Sequence, residues 1–126
     1  MNGPDTARLA RRYIEAVGEH DLDAVDGMLD DDVSAVFAGG RFGKAEWLAA
    51  LKRLLPALIR NDIRDVFAEG DRGCVVYDFV TDTPAGAVAC VEVITAHDDA
   101  IVSIELLLDR VAFAPVNEAL AQRAAG

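Results

Sequence analysis

No stretch of the 126-residue chain approaches the run of about 18 uninterrupted apolar residues that a membrane-spanning helix needs. Positive charge is scarce: 12 Lys and Arg stand against 22 Asp and Glu, a formal net charge of −10. That is the wrong sign for gripping phosphate backbones, so neither nucleic acid nor a membrane is an expected partner. Cysteine is limited to Cys74 and Cys90, which form no CxxC pair, and histidine to His20 and His97. Those four side chains are a poor basis for a structural zinc site. The opening Met1-Asn2-Gly3-Pro4-Asp5 lacks the basic and apolar regions of a secretory leader. Both thiols are therefore expected to be reduced, in a cytoplasmic protein.

Familiar chemical motifs are missing too. Gly39 to Lys44 (GGRFGK) is too short for a phosphate loop, and Ala45 replaces its Ser or Thr. Asp30-Asp31-Asp32 lacks the spacing and glycine of a calcium loop and reads as a solvated helix end. His20 and His97 fall at predicted turns, and no Ser-His-Asp order or nucleophile elbow can be drawn. No metal and no organic cofactor is expected.

What the chain does have is apolar side chains, 52% of its residues. They suffice for one domain, residues 1–126, that buries roughly two-thirds of its unfolded surface. Leu9, Ala10, Tyr13, Ile14 and Val17 recur at helical spacing after a cap at Asp5 or Thr6. Asp21 caps a shorter helix with Leu22, Val25, Met28 and Leu29 facing inward, completing a helical hairpin. Val33–Phe37 reads as a strand closed by Gly39-Gly40. A third helix is predicted from Lys44 to about Ile59, with Pro56 kinking or shortening its last turns. The period then changes to two. Strands are predicted near 62–69, 74–82, 87–96 and 101–109, as an antiparallel meander, before a short helix from Pro115. Helices followed by strands imply an α+β domain.

The informative residues are polar ones inside apolar strands. Cys74, Val76, Asp78, Val80 and Asp82 share one face of their strand; Val88, Cys90, Glu92 and Ile94 share one face of the next. A carboxylate dehydrated in such company has a raised pKa unless a cation or several donors meet it, the profile of a general acid or base. The alternative for Asp78, Glu92 or Glu105 is a side chain that points to solvent at a sheet edge or pairs with an arginine across a dimer. Glu105, opposite a purely apolar face, fits that alternative best. Tyr13 lies in the apolar stripe of the first helix, so its hydroxyl needs a partner in the core or in a cavity. Both sheet faces are apolar enough to need cover. Helices serve one, and a second copy of the chain is the simplest cover for the other, so a homodimer through the sheet is expected.

The stretch from Arg12-Tyr13-Ile14-Glu15-Ala16-Val17 through His20-Asp21-Leu22-Asp23-Ala24-Val25 to Leu29-Asp30-Asp31-Asp32-Val33 resembles the opening hairpin of the nuclear transport factor 2-like superfamily, more narrowly its SnoaL-like branch. Phe42-Gly43-Lys44 is similar to the glycine-led start of that group's third helix, and Ala100–Ile104 running to Leu108-Asp109-Arg110 to its last strand. The resemblance implies a cone: a strongly bent antiparallel sheet wrapped around three N-terminal helices, with a mainly apolar pocket at its wide end. Such proteins include isomerases, hydrolases, cyclases and non-catalytic binders. Tyr13 falls where ketosteroid isomerases carry an oxyanion-hole tyrosine, and Glu92 where they carry a protonated acid. Their general base matches Phe37. Asp78 falls where limonene-epoxide hydrolases carry an aspartate, while their arginine matches Val76 and their second aspartate Leu106. The resemblance thus implies a cofactor-free enzyme acting on a small apolar carbonyl or polyketide-like substrate by isomerisation, cyclisation or hydrolysis. Asp78 would be its base, Tyr13 and protonated Glu92 its oxyanion donors, and Phe37, Trp47, Leu51, Val76, Cys90, Leu106 and Phe113 its substrate-binding wall. The alternative is a non-catalytic small-molecule binder or dimerisation module of the same fold.

Overall fold

The structure, a computed structural model, describes residues 1–126. Helix α1 (Gly3–Gly18) is capped by Asn2, whose side chain accepts from the Asp5 amide at 2.9 Å, and Pro4 occupies its first turn, where no amide is needed. The cap therefore precedes the expected Asp5 or Thr6. Thr6 is buried instead, its hydroxyl 2.7 Å from the Gly70 carbonyl. Asp21 caps α2 (Leu22–Met28) as expected, accepting from the Ala24 amide at 3.1 Å. Strand β1 (Leu29–Phe37) starts earlier than the β-branched run suggested, so Asp30–Asp32 belong to a strand and not to a helix end. Lys44 reaches back to this acidic segment, 2.9 Å from Asp26 and 3.2 Å from Asp31.

A hairpin through Ala38 (φ 54°) and Gly39 (φ 80°) leads into β2 (Gly40–Phe42). Two successive left-handed residues are what a tight hairpin turn demands. Helix α3 (Lys44–Leu54) ends five residues before the predicted Ile59. Pro56 sits in a single 3-10 turn (Leu55–Ala57), and β3 (Leu58–Glu69) follows at once. A proline restricts the residue before it and donates no hydrogen bond, so the α-helix stops there. Strands β4 (Arg72–Thr81), β5 (Ala87–His97) and β6 (Ala100–Leu108) complete the sheet. Helix α4 (Arg110–Ala125) is longer than expected, because Asp109 caps it by accepting from the Val111 and Ala112 amides and Pro115 is accommodated within it.

The six strands form one curved, unclosed sheet in the order β2-β1-β6-β5-β4-β3. The sheet is mixed, not antiparallel throughout: β1 lies parallel to β6, a pairing between chain-distant segments that no local pattern encodes. Its concave face receives α1, α2 and α3. Ala10, Tyr13, Ile14, Ala16 and Val17 from α1 and Trp47 and Leu51 from α3 meet Val75, Tyr77, Phe79, Val88, Cys90, Ile94 and Ile104 in one core. Burial alternates strictly along β4 and β5, so odd residues of β4 and even residues of β5 face inward. On β6 a bulge opposite Thr95 and Ala96 shifts this parity, placing both Ile101 and Ile104 in the core.

Candidate functional site

A cavity of about 400 Å³ opens between the sheet, α3 and α4, and 15 of its 20 lining residues are hydrophobic. Ile14 and Val17 of α1 and Trp47 and Leu51 of α3 form one wall; Tyr77, Phe79, Cys90, Glu92, Leu106 and Leu108 form the other. Phe113 of α4 packs its ring 5.9 Å from that of Phe79, and both line the cavity. At the rim Arg53 donates to the Asn117 side chain at 3.0 Å.

Glu92 is the one carboxylate in this lining, although the chain carries 22 acidic residues. It sits between Val75 and Leu106 in the strand register, with Tyr77 on the diagonal. The Tyr77 hydroxyl reaches along that diagonal and donates to Glu92 Oε1, while Glu92 Oε2 is buried with no hydrogen-bond partner. Burial pushes the Glu92 carboxyl up to about 7, and the Tyr77 hydrogen bond opposes that rise. The same group can therefore donate or accept a proton near neutrality. Tyr13 is fully buried beside this pair. Its oxygen accepts from Trp47 Nε1 at 2.9 Å, and burial and then the Glu92 charge hold its proton on. No acceptor in the chain takes that O–H. Cys90 lines the cavity as an inert thiol, its pKa pushed up to about 12 by burial and then by Glu92.

Asn61 of β3 supplies a second orphaned atom. Its Nδ2 donates to the Ile14 carbonyl at 3.1 Å, and its Oδ1 is buried without a partner in a residue that lines the cavity. Such groups cost stability unless something pairs with them, roughly 1–3 kcal/mol each. Sequence reasoning missed both Asn61 and Tyr77. Asn61 lies just before the predicted strand 62–69, and Tyr77 stands on the face of its strand opposite Asp78, which is the inner one.

Of the residues expected in a pocket wall, Phe37, Trp47, Leu51, Cys90, Leu106 and Phe113 line this cavity, with Glu92 beside them. Tyr13 lies beneath it, joined through Trp47. Val76 and Asp78 are corrections. Both lie on the even, outward face of β4, away from the cavity, whereas even residues face inward on β5. Strands pair residue to residue: Tyr77 stands opposite Cys90 and Asp78 opposite Ala89, so Asp78 and Glu92 cannot share a face. Asp78 pairs instead with Arg64 of β3, whose Nε lies 3.1 Å from Asp78 Oδ2, and that guanidinium holds the carboxyl below its ordinary range. Glu105 is exposed on β6, as the alternative reading had it. His20 is exposed at a turn, with its Nε2 2.7 Å from the Leu58 carbonyl oxygen, and His97 is exposed at the end of β5, just before the predicted turn. No helix is long and apolar enough to cross a membrane.

A steroid delta-isomerase from Pseudomonas aeruginosa superposes with a TM-score of 0.76 at 15% identity, covering 98% of this chain and 94% of that one. An LEH-like epoxide hydrolase from M. tuberculosis gives 0.74 at 19% identity, over 98% and 97% of the two chains. A de novo designed protein with a curved β-sheet gives 0.80 at 15% identity, over 97% and 98%. These likenesses establish the fold, and two enzymes of different chemistry and a designed chain share it. Comparison with curated proteins finds no match. A sequence profile of the SnoaL-like domain, in contrast, matches residues 10–104, a span that holds the second half of α1, all of α2, and Tyr13, Tyr77 and Glu92. The chain belongs to the SnoaL-like domain family.

Proposed function

We propose that the protein is a cofactor-free enzyme that moves a proton next to the carbonyl of a small apolar molecule, with Glu92 as its single acid and base. One observation carries the reading: the lone carboxyl lining a mainly apolar cavity keeps its Oε2 without a hydrogen-bond partner, and burial raises its pKa to about 7. As a carboxylate, Oε2 takes the proton from the carbon beside the carbonyl, and the electron pair moves onto the carbonyl oxygen. As an acid it returns the proton to the same carbon or, where a conjugated double bond spreads the charge, to the γ-carbon two positions along. Tyr77 holds Oε1 and so fixes where Oε2 points. Tyr13, with its O–H free and its oxygen held by Trp47, is the proposed oxyanion donor. Isomerisation and intramolecular cyclisation of a polyketide-like substrate both begin with this step.

Deuterium uptake from heavy water beside the carbonyl of 1-tetralone, followed by NMR, reads the step without knowledge of the natural product. Wild type is expected to accelerate exchange, and Glu92→Gln to lose at least about a hundredfold of that acceleration. Equal exchange in the two proteins removes the catalytic role. The absence of a second carboxylate from the lining favours one other reading, a non-catalytic binder. Binding of the ketone without exchange in either protein would establish it.

The reading includes a homodimer through the outer face of the sheet. Val76, Val91 and Leu107 align across three neighbouring strands there, and Leu107 is 50% exposed. Leu107→Glu is expected to turn a dimer into a monomer in sedimentation velocity; a monomeric wild type ends the proposal. Cys74 and Cys90, both free, fit a reducing cytoplasmic compartment.

A further inference from the structure

The cavity has two orphaned polar atoms, and only one belongs to the proposed chemistry. Asn61 Oδ1 is a pure acceptor, fully buried and unpaired, in a residue lining the same cavity as Glu92. Its orientation is fixed. The amide nitrogen is committed to the Ile14 carbonyl at 3.1 Å, and turning the amide over would set two carbonyl oxygens against each other. Its position is fixed as well, because α1 and β3 touch through backbone at this point. A Cβ on Gly18 would come within 2.8 Å of the Asn61 nitrogen and 3.2 Å of its Cβ, so only glycine lets the helix lie so close. Irregularities in the β3–β4 pairing flank the residue, between Leu58 and Arg60 and between Ile63 and Asp65. Bulges of this kind re-aim side chains.

From this we infer that Asn61 is a specificity-determining residue: the cavity takes apolar carbonyl compounds that also carry a hydrogen-bond donor, a hydroxyl or an N–H, to meet Oδ1. The ligand class is then a hydroxy-ketone or its amino counterpart, not a plain ketone. An apolar ligand without a donor would fill the cavity and leave Oδ1 unpaired, which penalises it relative to its hydroxylated analogue. The inference rests on the cavity being a ligand site and is independent of whether Glu92 moves a proton there.

Calorimetric titration with 6-hydroxy-1-tetralone and 1-tetralone tests it by affinity alone. Wild type is expected to bind the hydroxylated ketone about tenfold more tightly. Asn61→Leu, checked for folding by circular dichroism, is expected to bring that ratio to about one while still binding 1-tetralone. Glu92→Gln is expected to keep it. A wild-type ratio at or below one means that Oδ1 is satisfied by water, and overturns the inference without any variant. A ratio lost in Glu92→Gln and kept in Asn61→Leu assigns the hydroxyl to Glu92, which also overturns it but leaves the catalytic reading standing. If neither ketone binds, the ligand-site reading falls and this inference with it.

Discussion

Asp78 and Glu92 lie on adjacent antiparallel strands of one sheet, yet they meet opposite fates. Asp78 faces out, its side chain 26% exposed, and Arg64 lowers its pKa. Glu92 faces in, 4% exposed, and burial raises its pKa to about 7. Both belong to strands with apolar residues on either side, and their immediate sequences give no hint of the difference. Parity of the pleat decides which carboxylate loses water; the nearest donor or cation then decides how far its pKa moves. A dehydrated carboxyl with a hydroxyl as its only partner is suited to carry a proton, whereas a partly exposed one beside a guanidinium is an ordinary surface ion pair.

The largest expected effect breaks the comparison on the inner side. Glu92 keeps its proton in the folded protein while the unfolded chain loses it near pH 4.5. Its contribution to stability is thus fully present below about pH 4.5, falls as pH rises, and is gone above about 7. A carboxyl moved from 4.5 to about 7 corresponds to roughly 3 kcal/mol. Urea unfolding from pH 4 to 8 should show wild type losing about that much relative to Glu92→Gln, a variant with no proton to lose. Parallel pH curves for the two proteins would contradict the raised pKa.

A smaller effect sharpens the contrast. Tyr77 lowers the Glu92 pKa through its hydrogen bond, so Tyr77→Phe should move the Glu92 titration upward, read from its side-chain carboxyl signal in ¹³C NMR. The expected stability loss is about 1–2 kcal/mol at neutral pH. A titration that stays in place would mean the hydroxyl does not hold the carboxyl. The smallest effect lies on the outer side. Asp78→Asn removes a half-exposed ion pair, for which a loss of about 0–1 kcal/mol and unchanged deuterium exchange are expected. A large loss of exchange in Asp78→Asn would overturn the assignment of the chemistry to the inner face.

Much of the architecture was legible in the sequence because its signals are local. The stripe of Leu9, Tyr13, Ile14 and Val17 needs only helical periodicity, and the Asp21 cap needs only a short polar side chain before an apolar run. Trp47, Leu51, Phe113 and Glu92 were expected at a pocket through the family resemblance, and all four line the cavity. The misjudged boundaries came from competition between signals: leucines 54, 55 and 58 continue a helical spacing that Pro56 interrupts, and the early start of β3 kept Asn61 out of view.

The sequence by itself determined the two periods, their order along the chain and the excess of acidic residues, because these depend on residues near one another or on simple counts. Only the tertiary structure decided which face of β4 is inside, that β1 runs parallel to β6, and that Tyr77 and Asn61 border one cavity with Glu92. Each of these depends on pairing between distant segments, where a shift of one residue exchanges inside for outside while leaving every local pattern unchanged.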